Sequence, residues 1–324
     1  MSKAKVAIAL STICAAVVWA VPIMGTAHQL LQRKAGASIF SASTPSVSSA
    51  FSVNPIRLRD DRDHGLLAEG WINGAGPFVF VIDTGAGASI VSRRVVDQAR
   101  LQVTKSRTTL VGGLSTSPIS SNQEARLRDL ALGQPDNRVS ERVVAAVVDS
   151  LPRAIDGVLD PTEVFSPSGY SIDLPSRELR ASSERLSVNQ QPHGGAVVRW
   201  VREGGSHRPF VRLGDGSLAL IDTGSGFGLA LNEKQVVSRR PADVRRSDAS
   251  RVNQDLGGGR VQSRRISPQT VNIGALVLNG VPTEVLSGVA PGTPIILGRR
   301  ALFPFRLTFD PTSRLISFEP AERN

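Results

Sequence analysis

At 324 residues and 40% hydrophobic content, the chain is long enough for two domain-sized units, each with its own core. Thirty glycines and twenty prolines, with few long helical periods, argue against a helical bundle and for a turn-rich, mostly β architecture. The net charge is +10, carried mainly by arginine; these residues are scattered, aromatics are only 5%, and no nucleic-acid motif accompanies them, so the charge reads as solvated surface and no nucleic-acid partner is expected.

The chain opens with the basic MSKAK, then an uncharged apolar run from 6 to 24, then the small residues Gly25-Thr26-Ala27. Residues 1–27 are therefore expected to be a signal peptide or a single membrane anchor. Either way the body is exported: periplasmic, secreted or held at the membrane outside the cytoplasm. The only cysteine, Cys14, lies in that apolar run, so the body has no disulfide, thiol nucleophile or thiolate metal site. Residues 28–55 are rich in Ser and Ala and read as a flexible tether or a propeptide.

A first lobe is expected over 56–188. GLLAEGWINGAGPFVFVIDTG reads as strand, Asn-Gly turn and strand, with Phe78 to Ile82 delivering Asp83 into a loop. A short helix is expected from Arg93 to Leu101. A second lobe over 189–324 repeats the plan: AVVRWVREGG, an Asp-Gly turn, the strand ending at Asp222, and NEKQVVSRR as the helix. The join falls between Ser182 and Gly195, where apolar periodicity lapses. Trp71 and Trp200 sit on early strands and are expected in the cores.

The two halves align in detail. Asp-Thr-Gly occurs at Asp83-Thr84-Gly85 and again at Asp222-Thr223-Gly224, 139 positions later. The next matched stations are Gly133 and Gly274, 50 and 52 residues on, then Gly157 and Gly298, 24 further in both halves. YSIDLPSRELRAS around Asp173 resembles LTFDPTSRLISF around Asp310. A period near 140 residues means two copies of a lobe, not a solenoid. Two carboxylates brought together cannot both ionise cheaply; one keeps a proton while the other acts as base, and together they activate a water. That chemistry needs no cofactor and no metal, and none is expected. Each half also carries a glycine-rich tip, at Gly112-Gly113 and Gly257-Gly258, which reads as an ordinary turn or as a mobile flap over substrate. Gly85-Ala86-Gly87 and Gly224-Ser225-Gly226 complete no phosphate loop, His28, His64, His193 and His207 show no zinc-ligand spacing, and no GxSxG elbow appears.

These residues resemble the aspartic proteases. WINGAGPFVFVIDTGAGASIVS looks like the bacterial retropepsin-like branch, and the duplication within one chain is similar to the pepsin-type bilobed arrangement. The resemblance covers roughly 65 to 320 and implies an acid protease fold, two β-barrel-like lobes with an active cleft between them. It implies Asp83 and Asp222 as catalytic groups, supported by Thr84, Gly85, Thr223, Gly224 and Ser225. The threonines would hydrogen-bond across the two loops, and the glycines would let backbone amides approach the carboxylates. Ser225 would reach a carboxylate oxygen that Ala86 cannot, making Asp222 the more readily ionised. The only tyrosine, Tyr170, lies far from the flap, which favours the glycine-flap variant. Asp156, beside Gly157, replaces an apolar residue and is expected at the surface. The implied activity is that of an aspartic endopeptidase on polypeptide, with a monomer sufficient for catalysis. The alternative is an inactive protease-fold module that binds peptides or envelope proteins.

Overall fold

The alternating apolar runs before each aspartate fold as hairpins. The computed structural model describes residues 11–13, 17–19, 54–116, 119–149, 151–202, 206–239, 250–256, 258–290 and 292–321. The expected signal or anchor over 1–27 and the tether over 28–55 lie almost wholly outside these residues, as does Cys14. Strands Gly65–Ile72 and Ala75–Ile82 pair antiparallel. Between them Asn73 and Gly74 both take positive φ, 51° and 75°, as a tight hairpin turn with the right twist requires. Phe210–Arg212 and Leu218–Asp222 form the sister hairpin, with Gly216 at φ 83°.

Each aspartate strand is then crossed by the same construction. Gly157–Leu159 runs parallel to Ala75–Ile82 and antiparallel to Ile90–Ser92. Ile295–Gly298 runs parallel to Leu218–Asp222 and antiparallel to Leu229–Asn232. The duplication read from the aspartates is therefore a duplication of topology.

The register corrects one station of it. Gly157 faces Phe80, three residues before Asp83, whereas Gly298 faces Asp222 itself. The counterpart of Gly157 is Ile295, and the counterpart of Gly298 is Asp160, the residue after Leu159. Equal 24-residue steps misled the alignment because a three-residue offset is invisible to spacing. Gly157 is a glycine for a different reason: a Cβ there would stand 2.4 Å from the Ile90 carbonyl and 2.8 Å from the Phe80 ring.

The chain is mostly β and, among the described residues, its strands form two sheets, consistent with the two β-rich lobes expected, and the lobes are joined through a shared sheet. One sheet continues from the first half into the second, in the order Ile56–Arg57, Glu178–Ser182, Gly169–Asp173, Phe305–Asp310, Leu315–Pro320 and Ala196–Val201. Tyr170 from the first half is fully buried there and stacks on Phe309 from the second, with centroids 4.6 Å apart. Trp200 is buried in the core; Trp71 is only partly covered. The first helix spans Arg93–Gln98, capped by Ser92 Oγ, and stops short of Leu101 because Arg100 turns to φ 50°. The second spans Glu233–Arg239.

Two short strands, Ser11–Ile13 and Val17–Trp19, lie within the apolar N-terminal run. The first pairs parallel with Asn253–Asp255 and the second antiparallel with Leu110–Gly112. Among the described residues no helix is long and apolar enough to cross a membrane.

The shared sheet makes the halves interdependent. The segment 54–188 expressed alone is expected to remain unfolded by circular dichroism and amide dispersion, since Gly169–Asp173 loses its Phe305–Asp310 neighbour. In the full chain, Phe309→Ala removes one side of the Tyr170 stack and is expected to cost about 3–5 kcal/mol in a single denaturant transition.

Candidate active site

Two apolar strands end at Asp83 and Asp222, and the loops that follow lock into one another. Thr84 Oγ1 donates to the Ile221 carbonyl at 2.7 Å and accepts from the Thr223 N–H at 3.1 Å. Thr223 Oγ1 donates to the Ile82 carbonyl at 3.2 Å and accepts from the Thr84 N–H at 3.1 Å. Both threonines are fully buried. Four hydrogen bonds in a dry junction, with every partner satisfied, hold the loops at fixed separation.

That junction brings the two carboxyls into contact, both buried. Asp83 Oδ1 accepts the N–H of Gly85 at 2.7 Å and, across the junction, the N–H of Gly224 at 3.2 Å. Asp222 Oδ1 accepts the Ser225 N–H at 2.8 Å. Glycine at 85 is obligatory, because a Cβ would come within 2.7 Å of Asp222 Cγ. Burial pushes the Asp222 carboxyl well above the ordinary carboxylate range, and the neighbouring Asp83 pushes it further, by charge and by hydrogen bonding.

This reverses the expected asymmetry. The Ser225 hydroxyl does not reach a carboxylate; it accepts from the Phe227 N–H at 3.3 Å, and only the Ser225 backbone serves Asp222. Asp83 collects two N–H donors and Asp222 one, so the proton rests more easily on Asp222. Arg299 braces the second loop from behind, its Nη1 donating to the carbonyls of Thr223 and Gly224 at 3.0 and 2.9 Å.

The glycine-rich tips meet one another and exchange anchors. Leu114, from the first half, packs in a cluster with Phe227, Val261, Leu286 and Ile296 of the second. Leu256, from the second half, packs with Leu67, Val81, Ile90 and Val158 of the first. Asp255 ties the tips together, accepting the Ser115 N–H and the Gly259 N–H at 2.8 Å each. At Gly113 a Cβ would overlap the Asp255 side chain, so glycine permits this crossing. Gly112 ends its strand against Val17, Gly258 takes φ 79°, and Gly257 lies outside the described residues.

Asp156 is buried, not at the surface as expected. Its Oδ2 accepts the Val79 N–H at 2.8 Å and its Oδ1 pairs with Arg94, so the charge is compensated and burial is tolerated.

Three further residues escaped sequence reasoning. Asp160, fully buried beside the Asp83 loop, lies close to Glu163 and to His207 from the second half. Burial and the Glu163 charge push the Asp160 carboxyl up to about 8. Asp160 falls in the register position of a glycine, which no composition or spacing signal marks. His207 is distant in sequence from both acids.

The threonine lock makes a direct test possible. Thr84→Val leaves the Ile221 carbonyl and Thr223 N–H buried without partners and is expected to cost about 1–3 kcal/mol, measured by denaturant unfolding. Thr84→Ser, which keeps the hydroxyl, is expected to retain most of that stability.

Residues 68–160, the heart of the first half, match the family model described as aspartyl protease. A comparison with curated proteins finds no match. Together with the paired Asp-Thr-Gly loops, the interlocked threonines and the repeated strand crossing, this match supports an assignment to the aspartic protease superfamily, of retropepsin-like type.

Proposed function

We propose that the protein is an aspartic endopeptidase that hydrolyses extended polypeptide in the cleft between its two halves. One observation carries this reading: two buried carboxyls in contact, on loops cross-braced by Thr84 and Thr223, with unequal hydrogen-bond support. Asp83, supplied with two backbone N–H donors, acts as the base that takes a proton from the attacking water. Asp222, whose carboxyl is held protonated, donates to the substrate carbonyl oxygen as the tetrahedral intermediate forms. On collapse Asp83 gives its proton to the leaving amine while Asp222 takes one back from the hydroxyl that becomes the acid's carbonyl, so the pair ends as it began, with one proton on Asp222. A single chain brings both groups, so a monomer suffices.

The tips support substrate enclosure. Leu114 and Leu256 each insert in the opposite half, so opening the cleft means withdrawing two small apolar anchors, and closure excludes water. The strands Leu110–Gly112 and Asn253–Asp255 accept extended partners by main-chain pairing, as the chain's own Val17–Trp19 and Ser11–Ile13 do. The basic start and uncharged run at the N-terminus support export, with the body periplasmic, secreted or membrane-held outside the cytoplasm.

The test is digestion of a denatured protein substrate across acid to neutral pH. Cleavage is expected, and Asp83→Asn and Asp222→Asn are each expected to lower kcat/KM by roughly 10²–10⁴-fold. Saturable peptide binding without cleavage at any pH would favour the binding-module reading instead.

The pH dependence follows from the raised Asp222 carboxyl. A raised value means the folded chain holds a proton that the unfolded chain releases, so stability falls as pH rises from the ordinary carboxylate range through the raised value. Activity is expected to fall in the same direction, as the acid is lost. Thermal melts against pH should show this loss of stability in the parent chain and a smaller loss in Asp222→Asn.

A further inference from the structure

The register difference between the halves leaves one carboxylate without a task in hydrolysis. Asp160 stands where the second half has Gly298, immediately after the strand that pairs with the Asp83 strand. Around it gather Glu163, three residues on, and His207, from the segment before Phe210–Arg212 in the other half.

Each of the three is turned toward the others. Asp160 Oδ1 accepts the Thr162 N–H at 2.8 Å, while Oδ2 is buried and makes no hydrogen bond. Glu163 Oε2 accepts the N–H and the hydroxyl of Ser89 at 2.9 and 2.8 Å. Its Oε1 faces His207 Nδ1 at 3.6 Å, and that nitrogen is buried without a hydrogen bond. The Ser89 hydroxyl also accepts the Asp160 N–H at 3.2 Å, tying two of the three residues together. One oxygen or nitrogen from each residue lies within 4.8 Å of the others. Atoms bound to one ion at about 2.0–2.2 Å lie at most about 4.4 Å apart, so small side-chain rotations close the set.

A buried carboxylate oxygen with no donor is costly, and an ion pair between His207 and Glu163 alone leaves it so. A cation would satisfy Oδ2, Oε1 and Nδ1 together. The fixed outer oxygens match the outer-sphere hydrogen bonds that orient metal ligands. Imidazole with two carboxylates suits zinc and its transition-metal neighbours better than magnesium or calcium, which prefer all-oxygen shells. We propose that Asp160, Glu163 and His207 form a site for a divalent transition cation, zinc foremost, that bridges the two halves beside the Asp83 loop. Its occupancy would pin the halves together and place positive charge next to the dyad.

Calorimetric titration of zinc into the chelator-stripped full chain tests this, with magnesium as the control ion. One zinc per chain is expected, with affinity weakened more than about tenfold in Asp160→Asn and in His207→Gln, a loss that disturbing even an outer-sphere partner commonly causes. His207 is only half-buried, so His207→Gln should keep the fold, to be verified by its melting temperature without metal. No zinc binding at millimolar concentration, equal binding of magnesium, or binding untouched by both substitutions would overturn the proposal. Binding is read without turnover, so a chain that takes zinc but cleaves nothing would sink the protease reading and leave this site standing.

Discussion

Everything at the centre of this molecule depends on two threonine hydroxyls. Each must donate to a carbonyl and accept an N–H in the opposite loop, and burial leaves no water to substitute. An unmade bond there would cost the full desolvation of its groups, so the loops cannot drift apart without losing all four. That cost holds two acidic groups in contact against their repulsion. Burial first, and that repulsion second, push the Asp222 carboxyl upward and favour its protonated form. Structure at this point acts on chemistry through electrostatics: the lock sets a distance, and the distance sets a protonation state.

The lock would be weak if the halves could hinge freely. The shared sheet opposes that, because Gly169–Asp173 of the first half pairs edge to edge with Phe305–Asp310 of the second, and Tyr170 stacks on Phe309 across that boundary. The glycine-rich tips add a second tie, exchanging Leu114 and Leu256 between the halves. The two halves are thus joined by a continuous sheet and by the contacts that Leu114 and Leu256 make in the opposite half.

Much of this was legible in the sequence. The two Asp-Thr-Gly triplets, the apolar strands before them and the Asn-Gly and Asp-Gly turns are local signals, and local signals survive reading in one dimension. The failures share a cause. Gly157 was matched to Gly298 because equal spacing cannot reveal register, and register is a property of paired strands. Asp156 was placed at the surface because its partners, the Val79 N–H and Arg94, are far along the chain. Ser225 was assigned a carboxylate contact from its residue type, but the backbone directs its hydroxyl toward Phe227. The cluster of Asp160, Glu163 and His207 was invisible because it assembles only when the halves meet.

The divergence of the two halves follows a pattern. Where the backbone must cross and interlock, the copies are alike: both keep threonine, both keep the glycine after it, both run a strand parallel to the aspartate strand. Where a side chain only surrounds the dyad, they differ. One half has Ala86 and the other Ser225; one has Asp160 and the other Gly298; Arg299 braces only the second loop. A dimer of identical subunits cannot make such choices, since any change appears on both sides of the axis. Joining the copies in one chain frees each flank to vary, and the unequal donors to Asp83 and Asp222 are a consequence of that freedom. The two carboxyls are then made inequivalent by the chain itself, through the different donors each loop supplies.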